Sequence, residues 1–222
     1  MDTKEKLQQK ILGMLKSAAG WYTHYWDNLA VAGLLLCLVC GTGWYLFRWT
    51  TSEELQIRQT LVQTAESWLG CQEADGSQRI IVDLYNSYEP RARDYQVTYE
   101  DNWCAAFGSA AALKAGFHQI IPMECSWEEQ IRLFEAQGNW REDECYLPRP
   151  GDYIYYVWDE WRSGDCTAWA NHVGIVAETF GPVIKVIEGN KDDAVGYRYI
   201  FLNEFTIRGF GLPDYAELLK SE

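Results

Sequence analysis

From Leu29 to Phe47 the chain reads LAVAGLLLCLVCGTGWYLF, 19 residues without a charge. No other stretch restricts the fold so strongly. At about 1.5 Å per helical residue, the run just crosses a hydrocarbon core of roughly 30 Å. Trp21, Tyr22, Tyr25 and Trp26 mark one end, and Trp44, Tyr45 and Trp49 the other. Aromatic side chains collect in this way at the two interfaces of a bilayer. A buried helix of a soluble protein has no need of such flanks. A cleaved signal peptide fits less well, because 28 residues precede the run and no A-x-A-like site follows it. The expectation is a single-pass transmembrane anchor at 29–47. An N-terminal cytoplasmic or interfacial segment would occupy 1–28, and a short linker 48–54. Leu7, Ile11, Met14, Leu15 and Ala18 fall at helical spacing among lysines, as in a helix lying on a lipid surface.

Charge divides at the same place. Residues 1–50 hold five basic and three acidic residues, which leaves 14 basic and 29 acidic residues for the rest. The Lys/Arg bias places the N-terminus inside the cell membrane and the domain at 55–222 outside it. So acidic a body excludes nucleic acid as a partner, since that binding needs clustered Lys and Arg. No phosphate-cradling glycine loop, zinc-type cysteine pair or internal repeat occurs.

Within 55–222 helices precede strands. Residues 53–70 carry an apolar stripe of Leu55, Ile57, Leu61, Val62, Ala65 and Leu69, with Gly70 as a stop. A mixed segment follows. Residues 102–116 read as a second helix, and 126–137 as a third, opened by the capping-box pair Ser126 and Glu129. After RPGDYIYYVW, a turn into a strand, HVGIVAETF and VIKVIEGN form a hairpin through Gly181 and Pro182. VGYRYIFL reads as another strand, and IRGFGLPDY as a closing strand and turn. Helices first and an antiparallel sheet after imply an α+β fold. Apart from that third helix, the segment 118–149 carries no clear assignment.

Cys104 sits in DNWCAAFGSAAALKAGF. With Asn102 as N-cap, it falls in the first helical turn, where free N–H groups and the helix dipole favour a thiolate. A nucleophilic thiol needs a base, and the base needs a third group to orient it. Of three histidines, His172 opens the expected central strand, and the next strand ends in Glu188 and Asn190. Two residues apart, these point to one face of a strand. A hairpin would bring both to His172. Trp103, Trp158, Trp161 and Trp169 lie close to these motifs; they are candidates for lining a substrate groove, or for packing.

The motifs NWCAAF, PGDYIYY, NHVGIV and IEGN, in this order, resemble the CHAP-domain cysteine peptidases and amidases. These belong to the papain-like and NlpC/P60-like group, and the resemblance covers about residues 55–215. It implies a papain-like CHAP fold with N-terminal helices packed on an antiparallel sheet. Cys104 would be the nucleophile, His172 the base and Glu188 its orienting group, with Asn190 assisting His172 or the oxyanion site. The implied substrate is peptidoglycan, cut by an endopeptidase or an N-acetylmuramoyl-L-alanine amidase. Some members carry an Asp-rich calcium loop before the cysteine. No compact D-x-D-x-D run precedes Cys104, so neither calcium nor another cofactor is expected. Two other readings keep these residues: an acyl transferase or transpeptidase with the same triad, and a catalytically silent wall-binding module. Cys71, Cys125, Cys145 and Cys166 allow three disulfide pairings, or remain thiols.

Overall fold

Helices cover one face of a sheet whose strands begin only in the second half of the chain. The computed structural model describes residues 53–143, 146–157 and 170–220. The expected anchor and its leading segment lie outside the described residues, as do Trp158, Trp161, Trp169, Cys145 and Cys166. Among the described residues, no helix is long and apolar enough to cross a membrane.

Helix α1 runs over 53–66 and buries Leu61, Val62 and Ala65. It stops four residues earlier than its apolar stripe implies. Residues 67–70 are a turn, closed by Gly70 in the left-handed region at φ 83°, and Leu69 faces solvent. The mixed segment holds α2, Arg79–Asn86, with Ile81, Val82 and Tyr85 buried. Helix α3, Cys104–Ala115, is buried on every side from Cys104 to Ala112. Small residues make that possible. A Cβ on Gly108 would stand 2.7 Å from Cε1 of Tyr153, and the Tyr153 hydroxyl donates to the Gly108 carbonyl at 2.8 Å. Helix α4, Trp127–Ala136, opens as expected at Ser126, whose side chain accepts from the Glu129 N–H.

Among the described residues, six strands form one antiparallel sheet. They are β1 (Trp140–Arg141), β2 (Tyr153–Tyr156), β3 (His172–Phe180), β4 (Val183–Lys191), β5 (Ala194–Phe201) and β6 (Ile207–Gly211), in the order β1-β6-β2-β3-β4-β5. The chain is therefore α+β, with α4 where the third helix is expected and β1 lying in the part of 118–149 that the sequence left unassigned. A short helix α5, Tyr215–Leu218, closes it. Strand β2 is buried on both faces. Tyr153, Tyr155, Val173, Ile175 and Ile187 join the helices in the main core. Ile154, Tyr156, Val176, Ile184, Val186, Ile200 and Phe210 form a second cluster. Alternation along the strands sends neighbouring residues to these two cores in turn.

Candidate active site

The site is assembled where the first turn of α3 meets the end of β4. Gly189 is the point of contact. A Cβ there would lie 2.4 Å from Phe107 Cβ and 2.8 Å from Trp103 Cζ3. Only glycine permits so close an approach of helix and strand. Cys104 is the first residue of α3 and is 2% exposed. Within the helix, the Phe107 N–H reaches the Trp103 carbonyl at 2.8 Å. The N–H groups of Cys104, Ala105 and Ala106 precede the intrahelical ladder and have no partner in it.

Asn102 does not cap this helix. The residue before Cys104 is Trp103, and it makes no side-chain cap. The Asn102 Oδ1 instead accepts from Asn190 Nδ2 at 3.3 Å. No capping side chain therefore competes for the N–H groups beside the thiol.

His172 opens β3 and pairs in register with Tyr156 of β2, on whose ring it stacks at 6.0 Å between centroids. Its Nε2 lies 3.1 Å from Glu188 Oε2, which leaves Nδ1 for the thiol. Gly174 clears the path between them: a Cβ there would stand 2.5 Å from Val186 Cγ1 and 2.8 Å from Glu188 Cγ. Burial pushes the imidazole pKa down, but hydrogen bonding to Cys104 and Glu188, and their negative charge, outweigh it. The net effect raises it from 6.5 to about 9. Glu188 is fully buried. On its far side Arg198 Nε donates to Oε1 at 2.8 Å and to Oε2 at 2.9 Å.

The structure thus brings Cys104, His172 and Glu188 together. Asn190 is placed differently. Pairing of β4 with β5 shifts between Glu188 and Lys191, and Asn190 has φ 55°. This irregularity breaks the alternation that would aim Glu188 and Asn190 at the same neighbour, and Asn190 turns to Asn102. Trp103 is also placed otherwise than a groove-lining role requires. It is fully buried, and its indole N–H donates to Glu73 Oε1 at 2.9 Å, so it supports the first turn of α3 and offers no surface to a ligand.

Arg198 and Tyr156 were not among the residues the sequence singled out. Arg198 had a faint signal, a basic residue inside an otherwise apolar and aromatic strand. Cys71, Cys104 and Cys125 are free thiols. Among the described residues, no group of three or more His, Cys, Asp and Glu side chains could hold a metal ion. A surface cavity of about 490 Å³, lined in part by Ile57, Phe117 and Leu218, opens at the opposite end of α3, away from the thiol.

No family model matches the chain, and no curated protein matches it. Among solved structures, the crystal structure of Ly7917 is similar at a TM-score of 0.40 and 10% identity, over 70% of this chain and 62% of that one. A second, the crystal structure of Ly7917 with the hydrolyzing product of MDP, gives 0.33 and 14%, over 50% and 53%. The chain spans less than two thirds of the length of Ly7917 in either case. Likeness at this level carries no argument about chemistry.

Proposed function

We propose that the protein is a cysteine-dependent amide hydrolase of papain-like, CHAP type, anchored in the cell membrane through 29–47 and acting on peptidoglycan. One observation carries the chemistry: His172 stands between the Cys104 thiol and the buried Glu188 carboxylate. The peptidoglycan substrate rests on the resemblance of the four motifs.

In the resting site a thiolate on Cys104 pairs with the His172 imidazolium. The sulfur attacks the scissile carbonyl carbon, a C–S bond forms, and the carbonyl electron pair moves onto oxygen. The Cys104 backbone N–H, free at the helix N-terminus, donates to that oxyanion. As the C–N bond breaks, His172 gives its proton to the leaving amine. Neutral His172 then takes a proton from water as the water oxygen attacks the thioester. The C–S bond breaks, the acid product leaves and gives its remaining proton to solvent, and the thiolate–imidazolium pair is restored. Glu188 holds the ring in place and offsets its positive charge throughout, in the role of the third member of a triad.

The test incubates purified full-length protein, reduced and in detergent, with purified peptidoglycan, alongside Cys104→Ala. Released fragments are read by mass spectrometry. Fragments from the wild type alone are expected, and their masses identify the bond. Equal release by Cys104→Ala would overturn the assignment of the nucleophile. No release by the folded wild type would overturn the substrate.

A further inference from the structure

Glu188 lies in a gap made by two glycines. On one side Gly174 of β3 abuts it, at a point where any Cβ would collide with its Cγ. On the other side its register partner on β5 is Gly196, where a Cβ would meet only Lys191 Cδ, at 3.6 Å. The space these glycines leave is filled along the diagonals. His172 sits two residues before Gly174, and Arg198 two residues after Gly196. The carboxylate therefore spans a diagonal line, His172–Glu188–Arg198, across three strands.

We propose that Arg198 is a positioning residue of the reaction, which keeps the Glu188 carboxylate ionised and turned so that Oε2 faces His172 in both proton states of the imidazole. The role deepens the reading of Cys104 and His172 as nucleophile and base, and rests on it.

Three observations carry the proposal. Glu188 has no exposure to solvent, and a carboxylate so enclosed takes up a proton unless a cation stays beside it. His172 cannot be that cation throughout, because the reaction removes its proton. Arg198 can, since a guanidinium stays charged at any working pH. Its single Nε–H is nearly equidistant from the two carboxylate oxygens, at 2.8 and 2.9 Å, which holds both oxygens toward the guanidinium. Among the described residues, the other ionisable groups around the line include Cys104 from α3 and Tyr156 from β2, with Glu204 near Tyr156, and Lys191 paired with Asp192 beyond the guanidinium.

The experiment titrates the His172 ring by NMR in full-length protein labelled at histidine and held in detergent micelles. The resonance is assigned by its loss in His172→Gln. Wild type, Arg198→Gln, Arg198→Met and Arg198→Lys are compared, each first checked for a cooperative melt. The wild type is expected to titrate at about 9. In Arg198→Gln and Arg198→Met the value is expected to fall toward the ordinary 6.5. That direction is diagnostic. Removing a bystander cation would by Coulomb's law raise the imidazole pKa; a fall means that Glu188 has lost its charge or its aim. Arg198→Lys, smaller than the native side chain and still charged, is expected to hold the value near that of the wild type.

Turnover of peptidoglycan by Arg198→Gln is expected to drop roughly 100-fold with little change in KM, at the lower end of what general acid–base catalysis contributes. A His172 value unchanged or raised in the neutral variants overturns the proposal, as does wild-type turnover in them. Because the titration needs no substrate, the two readings fail separately. A wild type that cuts nothing while the neutral variants still shift loses the hydrolase reading and keeps the positioning contact. A wild type that cuts, with no fall in the variants, loses only the role of Arg198.

Discussion

His172 is held between two acidic partners, and its titration sets the pH range in which the site exists. Its folded pKa, about 9, lies above the ordinary 6.5. The imidazolium therefore contributes stability that is fully present below 6.5 and is lost as pH rises through 9. Urea midpoints of wild type and His172→Gln should differ most in mildly acidic solution and converge above about pH 9. A gap that widened with pH would mean that the ring is neutral in the folded protein. Cys104→Ala removes one of the two acidic partners, so the His172 resonance should titrate below the wild-type value while the melt stays cooperative. Glu188→Gln leaves both His172 and Arg198 without their anion. It is expected to cost about 2 kcal/mol in chemical denaturation, less than the 3–5 kcal/mol typical of fully buried pairs because Arg198 is partly open to water. Turnover should fall with it by roughly 100-fold.

At the scale of elements, glycines decide how closely α3, β3 and β4 approach. Gly174→Ala would drive a Cβ into Val186 and Glu188. The expected cost is about 1–3 kcal/mol from overpacking, together with loss of turnover, because the atom displaced belongs to the group that orients His172. Gly181 in the β3–β4 turn provides the control. A Cβ there meets nothing within 4 Å, yet φ is 56°. Gly181→Ala should cost about 1 kcal/mol of backbone strain and leave turnover intact. Thermal melts and initial rates of both variants check this, and equal rates in the two would mean that Gly174 does not position Glu188. These glycines also show how far the sequence could be read. The long strands were legible because runs such as HVGIVAETF and VIKVIEGN carry β-branched residues bounded by turn residues. From them followed the hairpin and the meeting of His172 with Glu188. Helix α2 was not legible, since in eight residues a β-branched run such as IIV reads as strand as readily as helix, nor was β1, only two residues long. The bulge that turns Asn190 toward Asn102 leaves no mark in composition. Arg198 was missed for another reason. Its link to Glu188 runs diagonally between strands, and a period of two along one strand says nothing about a diagonal on the next. Gly174 and Gly189 were readable in principle, because glycine inside a strand signals close approach of another group.

At the scale of the whole molecule, the acidic excess and the site fall on the same side of one boundary. Residues Glu53–Glu222 form one compact unit, and Cys104, His172, Glu188 and Arg198 all lie inside it. The helices and the sheet share a single main core. All of the acidic excess lies there too, with 29 acidic against 14 basic residues after position 50. A surface of that sign is repelled by anionic lipid, so any hold on a membrane must come from the preceding segment. There two forces are available. The lysines of 1–28 would bind a lipid surface electrostatically and release in high salt, whereas a spanning helix at 29–47 would resist both salt and alkaline carbonate. We expect the full-length chain to stay with the membrane pellet through both washes, and a chain beginning at Glu53 to remain in the supernatant with a cooperative melt. Both chains should cleave soluble peptidoglycan fragments at similar rates, because Cys104, His172, Glu188 and Arg198 all follow position 53. Release of the full-length chain by salt would leave only surface adsorption. Release by carbonate alone would mean that 29–47 does not span the bilayer. A loss of turnover in the shorter chain would show that residues before 53 contribute to the site itself.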